Sequence, residues 1–143
     1  MTSVDDKRIQ TFFDAYAAAS LAGDAEAVSI AYFSTYIEAA PSTVEVFHVD
    51  AEYKRALKTK AEAMSRLGLA QSAIKVIGTT PLAPNHLLVE AKWRLRFAPE
   101  GKKAAEATFR TSYVVRREDD DLKILLALSH EDEEKALQEL ELA

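Results

Sequence analysis

The chain of 143 residues is 48 % hydrophobic, which allows one domain with a continuous core. The absence of cysteine excludes disulfides, thiolate metal sites and a thiol nucleophile. The net charge of −5 opposes binding to a phosphate backbone, so we expect no nucleic acid as a partner. The sequence has neither an apolar signal core nor a run of the roughly 20 apolar residues that a bilayer requires, so we expect no membrane and a cytoplasmic location.

The N-terminal part of the sequence predicts a helical hairpin. Residues 4–22 carry apolar side chains at helical spacing, and Ser3 is placed to cap this helix. Gly23 can end the helix in a left-handed conformation, and Asp24 can cap a second helix that runs to about residue 32.

A short strand pair and a third helix follow. Residues 34–39 and 43–49 are rich in Thr, Tyr, Ile, Val and Phe, which favour strands. Asp50 is placed to cap a helix over residues 51–67, and Gly68 can end it.

The second half predicts a sheet of longer strands. A strand over residues 70–79 and a loop at 81–85 precede a segment, 87–97, in which apolar and charged residues alternate strictly. After a turn at 99–102 the alternation returns over residues 106–116, so the two segments predict an antiparallel hairpin. The apolar side of this hairpin includes Trp93, Leu95, Phe97, Phe109 and Tyr113, and its polar side includes Glu90, Lys92, Arg94, Arg96, Glu106, Arg110 and Arg116.

The C-terminal part predicts a central strand and an acidic tail. Residues 122–129 are apolar on both faces, as in a strand that is covered from both sides. We expect one domain over residues 1–143, in which residues 131–143 form a weakly amphipathic helical appendage.

This order of elements resembles the NTF2-like superfamily, which includes SnoaL-type cyclases and ketosteroid isomerases. The resemblance covers nearly the whole chain and rests on four segments: Tyr16 to Asp24, Tyr32-Phe33-Ser34, Val46 to Asp50 and Leu125 to His130. It implies an α+β fold in which a strongly bent antiparallel sheet wraps the helical hairpin and the third helix. It also implies a cone with an apolar cavity at its wide end, although many chemistries use such a cavity.

Three polar residues are candidates for catalysis. Tyr16 matches the position of the tyrosine that forms the oxyanion hole in ketosteroid isomerases, and a buried phenol is a good donor to a carbonyl oxygen that gains negative charge. The base of those enzymes falls at Ala39 or Ala40, which cannot accept a proton, so Glu38 is the nearest candidate. His130 closes the last strand and is a second candidate for a general base.

The aromatic residues predict the walls of a pocket, and the histidines predict no metal. Tyr16, Tyr36, Trp93, Phe109 and Tyr113 would suit a flat or cyclic apolar ligand with one hydrogen-bonding group. The three histidines lack the spacing of a metal site, so we expect neither a metal nor another cofactor.

Three functions remain open at this point. The first is a dimeric domain that binds a small apolar molecule, and the second is an isomerase, dehydratase or cyclase that acts on a carbonyl compound through Tyr16 and either Glu38 or His130. The third is an interaction module whose core is filled. The expected homodimer uses the sheet face that bears Arg94, Arg96 and Arg110.

Overall fold

The computed structural model describes residues 6–140, and within them the chain forms four helices and six strands. The elements in chain order are α1 Asp6–Ala22, α2 Ala25–Ile30, β1 Tyr32–Ala40, β2 Thr43–His48, α3 Ala51–Arg66, β3 Leu69–Ala83, β4 His86–Phe97, β5 Ala105–Glu118, β6 Asp121–Ser129 and α4 Glu133–Gln138.

The six strands form one sheet in the order β2-β1-β6-β5-β4-β3. Four of the five neighbouring pairs are antiparallel, but β1 runs parallel to β6. The sheet is therefore mixed rather than antiparallel throughout, because the chain passes through β2, α3 and the other strands before β6 returns beside β1. Register shifts in several of these pairs are the bulges by which a sheet bends.

The predicted helix caps are present where the structure describes them. The carboxylate of Asp24 accepts a hydrogen bond from the backbone N–H of Ala27 at 3.1 Å, and that of Asp50 accepts one from Tyr53 at 2.9 Å. Each bond satisfies a backbone donor that the first turn of a helix leaves free. The predicted cap at Ser3 lies outside the described residues.

Two predicted boundaries are wrong. Tyr32, predicted to end α2, begins β1, where its backbone pairs with Ile124. Residues 81–83, predicted as a loop, continue β3, with Pro81 opposite Leu87. Proline is tolerated there because β3 is an edge strand, which is paired on one side only.

The main core lies between α1 and the inner face of the sheet. The side chains of Ile9 and Phe13 on α1 are almost fully buried, as are Val89 and Ile124 on the strands. The side-chain amide of Gln10 also joins α1 to the edge strand, since it donates to the carbonyl of Ile74 at 2.7 Å and accepts from the N–H of Val76 at 2.9 Å. This amide thus occupies backbone groups that an edge strand otherwise leaves unpaired.

Helix α4 lies over the other end of the sheet. Its residues Ala136 and Leu137, with Leu140, pack against a second buried cluster that includes Phe97 and Phe109. The carboxylate before the helix, Asp132, accepts hydrogen bonds from the backbone and the hydroxyl of Ser42, in the turn between β1 and β2, at 3.2 and 2.7 Å. No helix among residues 6–140 is long and apolar enough to span a bilayer.

The outer face of β2, β1 and β6 carries exposed apolar side chains. In the register of these strands Ile37 is opposite Val46, while Ala39 is opposite both Val44 and Leu128. The exposed fractions are 74 % for Val44, 59 % for Val46, 42 % for Leu128 and 41 % for Ile37. We call these four residues the outer apolar patch.

The turn after α3 gives a prediction about stability. Gly68 has a φ of +92°, and a Cβ at this position would lie 2.7 Å from the backbone N and Cα of Pro99. We expect Gly68→Ala to lower the free energy of unfolding by about 2–5 kcal/mol, because the left-handed backbone and the steric clash both oppose the methyl group. The matched control is Gly101→Ala, which has a φ of +76° but no neighbour within 4 Å, and there we expect about 1–2 kcal/mol. Equal losses for both variants in urea unfolding would contradict this explanation.

Candidate functional site: a tyrosine-lined cavity

A cavity of about 220 Å³ lies between the helices and the inner face of the sheet. All five tyrosines of the chain line it, and so does the single tryptophan. The tyrosines are Tyr16 on α1, Tyr32 and Tyr36 on β1, Tyr53 on α3 and Tyr113 on β5.

The structure brings together six of the seven predicted site residues. Tyr16, Glu38, Tyr36, Trp93, Phe109 and Tyr113 all line the cavity. Alternation explains the position of Glu38, because it is two residues after Tyr36, whose ring is buried on the inner face. Ser129 lines the cavity, and its neighbour His130 therefore points to the opposite face of the sheet.

His130 takes part in a separate polar network on the outer face. Its Nε2 lies 2.7 Å from the hydroxyl of Ser112, which donates a hydrogen bond to Glu90 at 2.7 Å. The ring of His130 is 3.9 Å from Glu90. The structure does not bring this imidazole to the cavity, so the predicted role as a base there has no geometric support.

The phenol hydroxyls of four tyrosines are joined in two pairs. The hydroxyl of Tyr16 is hydrogen-bonded to that of Tyr32, and the hydroxyl of Tyr36 to that of Tyr53 at 2.6 Å. The rings of Tyr32 and Tyr36 are stacked, with centroids 4.0 Å apart and an angle of 26° between their planes. Tyr36 is thus fixed by two contacts: its ring stacks on Tyr32, and its hydroxyl is hydrogen-bonded to Tyr53.

Sequence reasoning missed Tyr32 and Tyr53 as site residues. Tyr53 has the spacing of an ordinary core residue on the apolar stripe of α3. The helical spacing extends α2 to about Tyr32, although the resemblance places Tyr32 at the entry to the first strand, so the sequence leaves open whether it shares a face with Tyr36. The signal for Tyr32 was its position four residues before Tyr36, since residues i and i+4 of a strand lie on one face.

The fifth tyrosine is joined to the tryptophan. The indole N–H of Trp93 donates to the hydroxyl of Tyr113 at 2.6 Å, across two neighbouring strands. The ring of Tyr16 meets Trp93 edge to face, with centroids 5.6 Å apart. The ring of Tyr113 also packs against Phe13 of the core, at 4.9 Å between centroids.

The phenols of this cavity remain protonated over the physiological range. Burial is the largest effect on each of the five, and it raises the pKa of all of them above its usual value. A neutral phenol donates a hydrogen bond, so the cavity presents hydroxyl donors rather than negative charge.

Glu38 is the carboxyl on the β1 wall of the cavity. Desolvation by the surrounding protein raises its pKa above the usual value, and Glu133 and Glu45 raise it further, while the ammonium of Lys60 opposes the shift. The side chain of Glu38 nevertheless keeps accessible surface. Lys60 and Glu133, 3.8 Å apart, also line the cavity.

The raised pKa of Glu38 makes stability depend on pH. Below the pKa of an unfolded glutamate, about 4.3, the carboxyl is protonated in both states and carries no penalty. As pH rises through the higher pKa of the folded state, the folded protein must ionise a desolvated carboxyl and loses stability. We therefore expect Glu38→Gln to gain stability relative to the wild type between about pH 4 and neutrality.

Urea unfolding at several pH values tests this expectation. Glu62→Gln, which changes an exposed carboxyl on α3, is the matched control. A difference between Glu38→Gln and the wild type that stays constant with pH, or that grows toward acid pH, would contradict the prediction.

No protein family model matches the sequence, and no curated protein sequence matches it. Solved structures are similar, however. An NTF2-like protein of unknown function from Shewanella oneidensis has a TM-score of 0.66 at 17 % identity, over 86 % of this chain and 96 % of that chain. The beta subunit of the benzoate 1,2-dioxygenase from Burkholderia mallei has a TM-score of 0.72 at 14 % identity, over 94 % and 95 %. A ketosteroid isomerase-like protein from Erwinia carotovora has a TM-score of 0.61 at 13 % identity, over 85 % and 92 %.

These likenesses show that the chain has an NTF2-like α+β fold, and the fold predicted from the sequence is confirmed. At these identities the likeness concerns the fold alone, because one fold serves many functions.

Proposed function

We propose that this chain binds a small, mainly apolar, aromatic or cyclic molecule in the tyrosine-lined cavity. The observation that carries the proposal is the convergence of all five tyrosines and the only tryptophan on one open cavity. Aromatic walls contribute large apolar area with little loss of side-chain entropy, and their hydroxyls orient a polar group of the ligand.

The size of the cavity limits the ligand. Its volume of about 220 Å³ lies below the roughly 300–1,000 Å³ of pockets for drug-sized molecules. A ligand of about two fused rings fits this space. An interaction module with a filled core, the third function that the sequence left open, does not agree with a cavity of this volume.

Calorimetric titration with 1-tetralone, a bicyclic ketone, tests the proposal. We expect Ala61→Phe to weaken binding at least about tenfold, because Ala61 lines the cavity and the larger ring occupies it. The matched control is Ala56→Phe on the exposed face of the same helix, which leaves the cavity unchanged. Equal affinity in the wild type and Ala61→Phe would contradict binding in this cavity.

A second function is favoured by the position of Glu38. The Glu38 carboxylate and the Tyr16 phenol line the same cavity. A base and a hydrogen-bond donor are the two groups that an enzyme needs to remove a proton from the carbon next to a carbonyl. In an isomerase, dehydratase or cyclase of this kind, Glu38 accepts the proton from the α-carbon while Tyr16 donates a hydrogen bond to the carbonyl oxygen. In an isomerase Glu38 returns the proton to another carbon of the enolate, and in a dehydratase it passes the proton to the β-hydroxyl, which leaves as water. In a cyclase the enolate carbon attacks a second carbonyl group, and the proton goes to the alkoxide that forms.

Deuterium exchange at the α-carbon of 1-tetralone in heavy water, followed by NMR, tests this second function. We expect Glu38→Gln to slow exchange by about 10²–10⁴, and the rate in the wild type to rise with pH as Glu38 ionises. Tyr16→Phe removes the phenol that donates to the carbonyl oxygen and is also expected to slow exchange. If both variants exchange as fast as the wild type, the roles of the two residues are wrong.

The outer face of the sheet supports a homodimer as the assembly. The sequence predicts the interface at Arg94, Arg96 and Arg110, and all three side chains are exposed on that face of the single chain. Arg94 forms an ion pair with Glu106 of its own chain. The outer apolar patch on β2, β1 and β6 supplies an apolar area, and these arginines lie to one side of it on β5 and β4, as polar residues at the rim of an interface do.

A further inference from the structure

The phenols of the cavity have more protons than partners. Each of the two tyrosine pairs holds two hydroxyl protons, and one of them lies between the two oxygens. Whichever oxygen donates, one proton of each pair remains free. The hydroxyl of Tyr113 accepts from Trp93 and also keeps its own proton. Two phenol protons, one in each pair, therefore have no hydrogen-bond partner among residues 6–140, whereas the hydroxyl of Tyr113 also has the hydroxyl of Thr111 as a partner.

The acceptors on the cavity wall are the carboxyls of Glu38 and Glu133 and serine and threonine hydroxyls, and each hydroxyl also carries a proton of its own. The charge of Glu38, a carboxyl on this wall, raises the pKa of Tyr16, Tyr36, Tyr53 and Tyr113. Within residues 6–140, however, no hydrogen bond joins a phenol to Glu38. The raised pKa of this carboxyl also keeps it protonated to higher pH, and a protonated carboxyl is a further donor.

We propose that the cavity selects bicyclic ligands that present two or more hydrogen-bond acceptors to the tyrosines, of which 1,4-quinones and aromatic diketones are the chemical class. This inference rests on the proposed function, since it concerns the ligand of the same cavity. A buried donor that stays unpaired is costly, so a ligand that satisfies both protons gains over one that satisfies one. A ligand that brings a donor of its own adds to the protons that need an acceptor.

Four probes of similar size separate these cases. Tetralin has no acceptor, 1-tetralone has one, 1,4-naphthoquinone has two, and indole has an N–H donor. Because the chain contains no cysteine, no thiol is present to add to the quinone. We expect calorimetry to show an affinity that rises about threefold to tenfold with each acceptor, in the order tetralin, tetralone, naphthoquinone. Indole is expected to bind no better than tetralin.

Substitutions within one tyrosine pair test the count of protons. Tyr36→Phe and Tyr53→Phe each remove one hydroxyl, but the remaining phenol is released from its partner and keeps one free proton. Each single variant is therefore expected to retain the preference for naphthoquinone over tetralin. The double variant Tyr36→Phe/Tyr53→Phe removes the last proton of the pair, and we expect it to lower this preference about threefold to tenfold.

Tetralin is the internal control, because its affinity reports an intact apolar cavity in every variant. If the double variant does not fold, Tyr16→Phe/Tyr32→Phe tests the same count at the other pair. Equal affinities for the four probes, tighter binding of indole than of tetralone, or a preference that survives both double variants would overturn the inference and leave the proposed function in place. If none of the four probes binds, the proposed function fails, and the inference fails with it.

Discussion

Phe13→Ala is expected to lower the free energy of unfolding by about 3–5 kcal/mol, the usual cost of removing a large buried ring. The Phe13 side chain has no exposed surface, and its ring packs against those of Phe12, Tyr16 and Tyr113. The loss combines the transfer of the ring to water with the void that remains, because close-packed neighbours relax only in part.

The same substitution is expected to act on the cavity. Phe13 supports the ring of Tyr113, which accepts the hydrogen bond from Trp93. When that support is lost we expect the Trp93 fluorescence of the folded variant to change and the affinity for 1-tetralone to fall. Trp93 is the only tryptophan of the chain, so its emission reports this part of the cavity without interference.

Phe12→Ala is the matched control, because Phe12 is adjacent in sequence and has the same side chain but is only partly buried. Its loss is expected to be clearly smaller than that of Phe13→Ala. Urea unfolding measures the free energy of unfolding of both variants. Equal losses would show that burial of the Phe13 ring does not stabilise the fold more than the partly buried ring of Phe12 does.

Val46→Lys is expected to weaken the proposed homodimer more than a hundredfold. Val46 lies in the outer apolar patch with 59 % of its surface exposed in the single chain. A two-fold symmetric interface contains each substitution twice, and burial of two unpaired ammonium groups costs several kcal/mol. The fold should survive, because the side chain is exposed in the monomer.

Sedimentation equilibrium over a range of concentrations measures this change. Ile30→Lys, at an exposed apolar residue on α2 rather than on the sheet, is the control and should leave the association unchanged. Arg94→Ala is expected to have a smaller effect, since a charge at the rim of an interface contributes little. A wild type that is monomeric at all concentrations would contradict the dimer itself.

The sequence predicted the inner face of the long hairpin correctly. Leu95, Phe97 and Phe109 are buried, whereas Arg94 and Arg96 are exposed, as the alternation requires. Such a pattern is local, because successive side chains of any strand point to opposite faces. The predicted cap residues Asp24 and Asp50 were correct for a similar reason, since a cap needs only the first turn of its own helix.

The neighbours of a strand could not be predicted in the same way. Nothing in the alternation of β1 indicates that it lies beside β6, or that the two strands run parallel. The face of the sheet to which Glu38 or His130 points depends on the register of its strand, because a shift by one residue reverses the face. Tyr36 and Ser129 decide these two cases, but only the folded sheet shows which face is the inner one.

By itself the sequence determined the helical and strand segments and the two faces of the hairpin, because helical and strand periodicity are properties of short segments. The α+β cone with a cavity near Tyr16, Trp93 and Tyr113 was what the resemblance to the NTF2-like superfamily implied. The tertiary structure alone decided that Tyr32 and Tyr53 join them, that their hydroxyls pair, and that Glu38 rather than His130 faces the same space. The physical reason is distance along the chain: these contacts connect residues on separate elements, and their hydrogen bonds exist only after the sheet has bent around the helices.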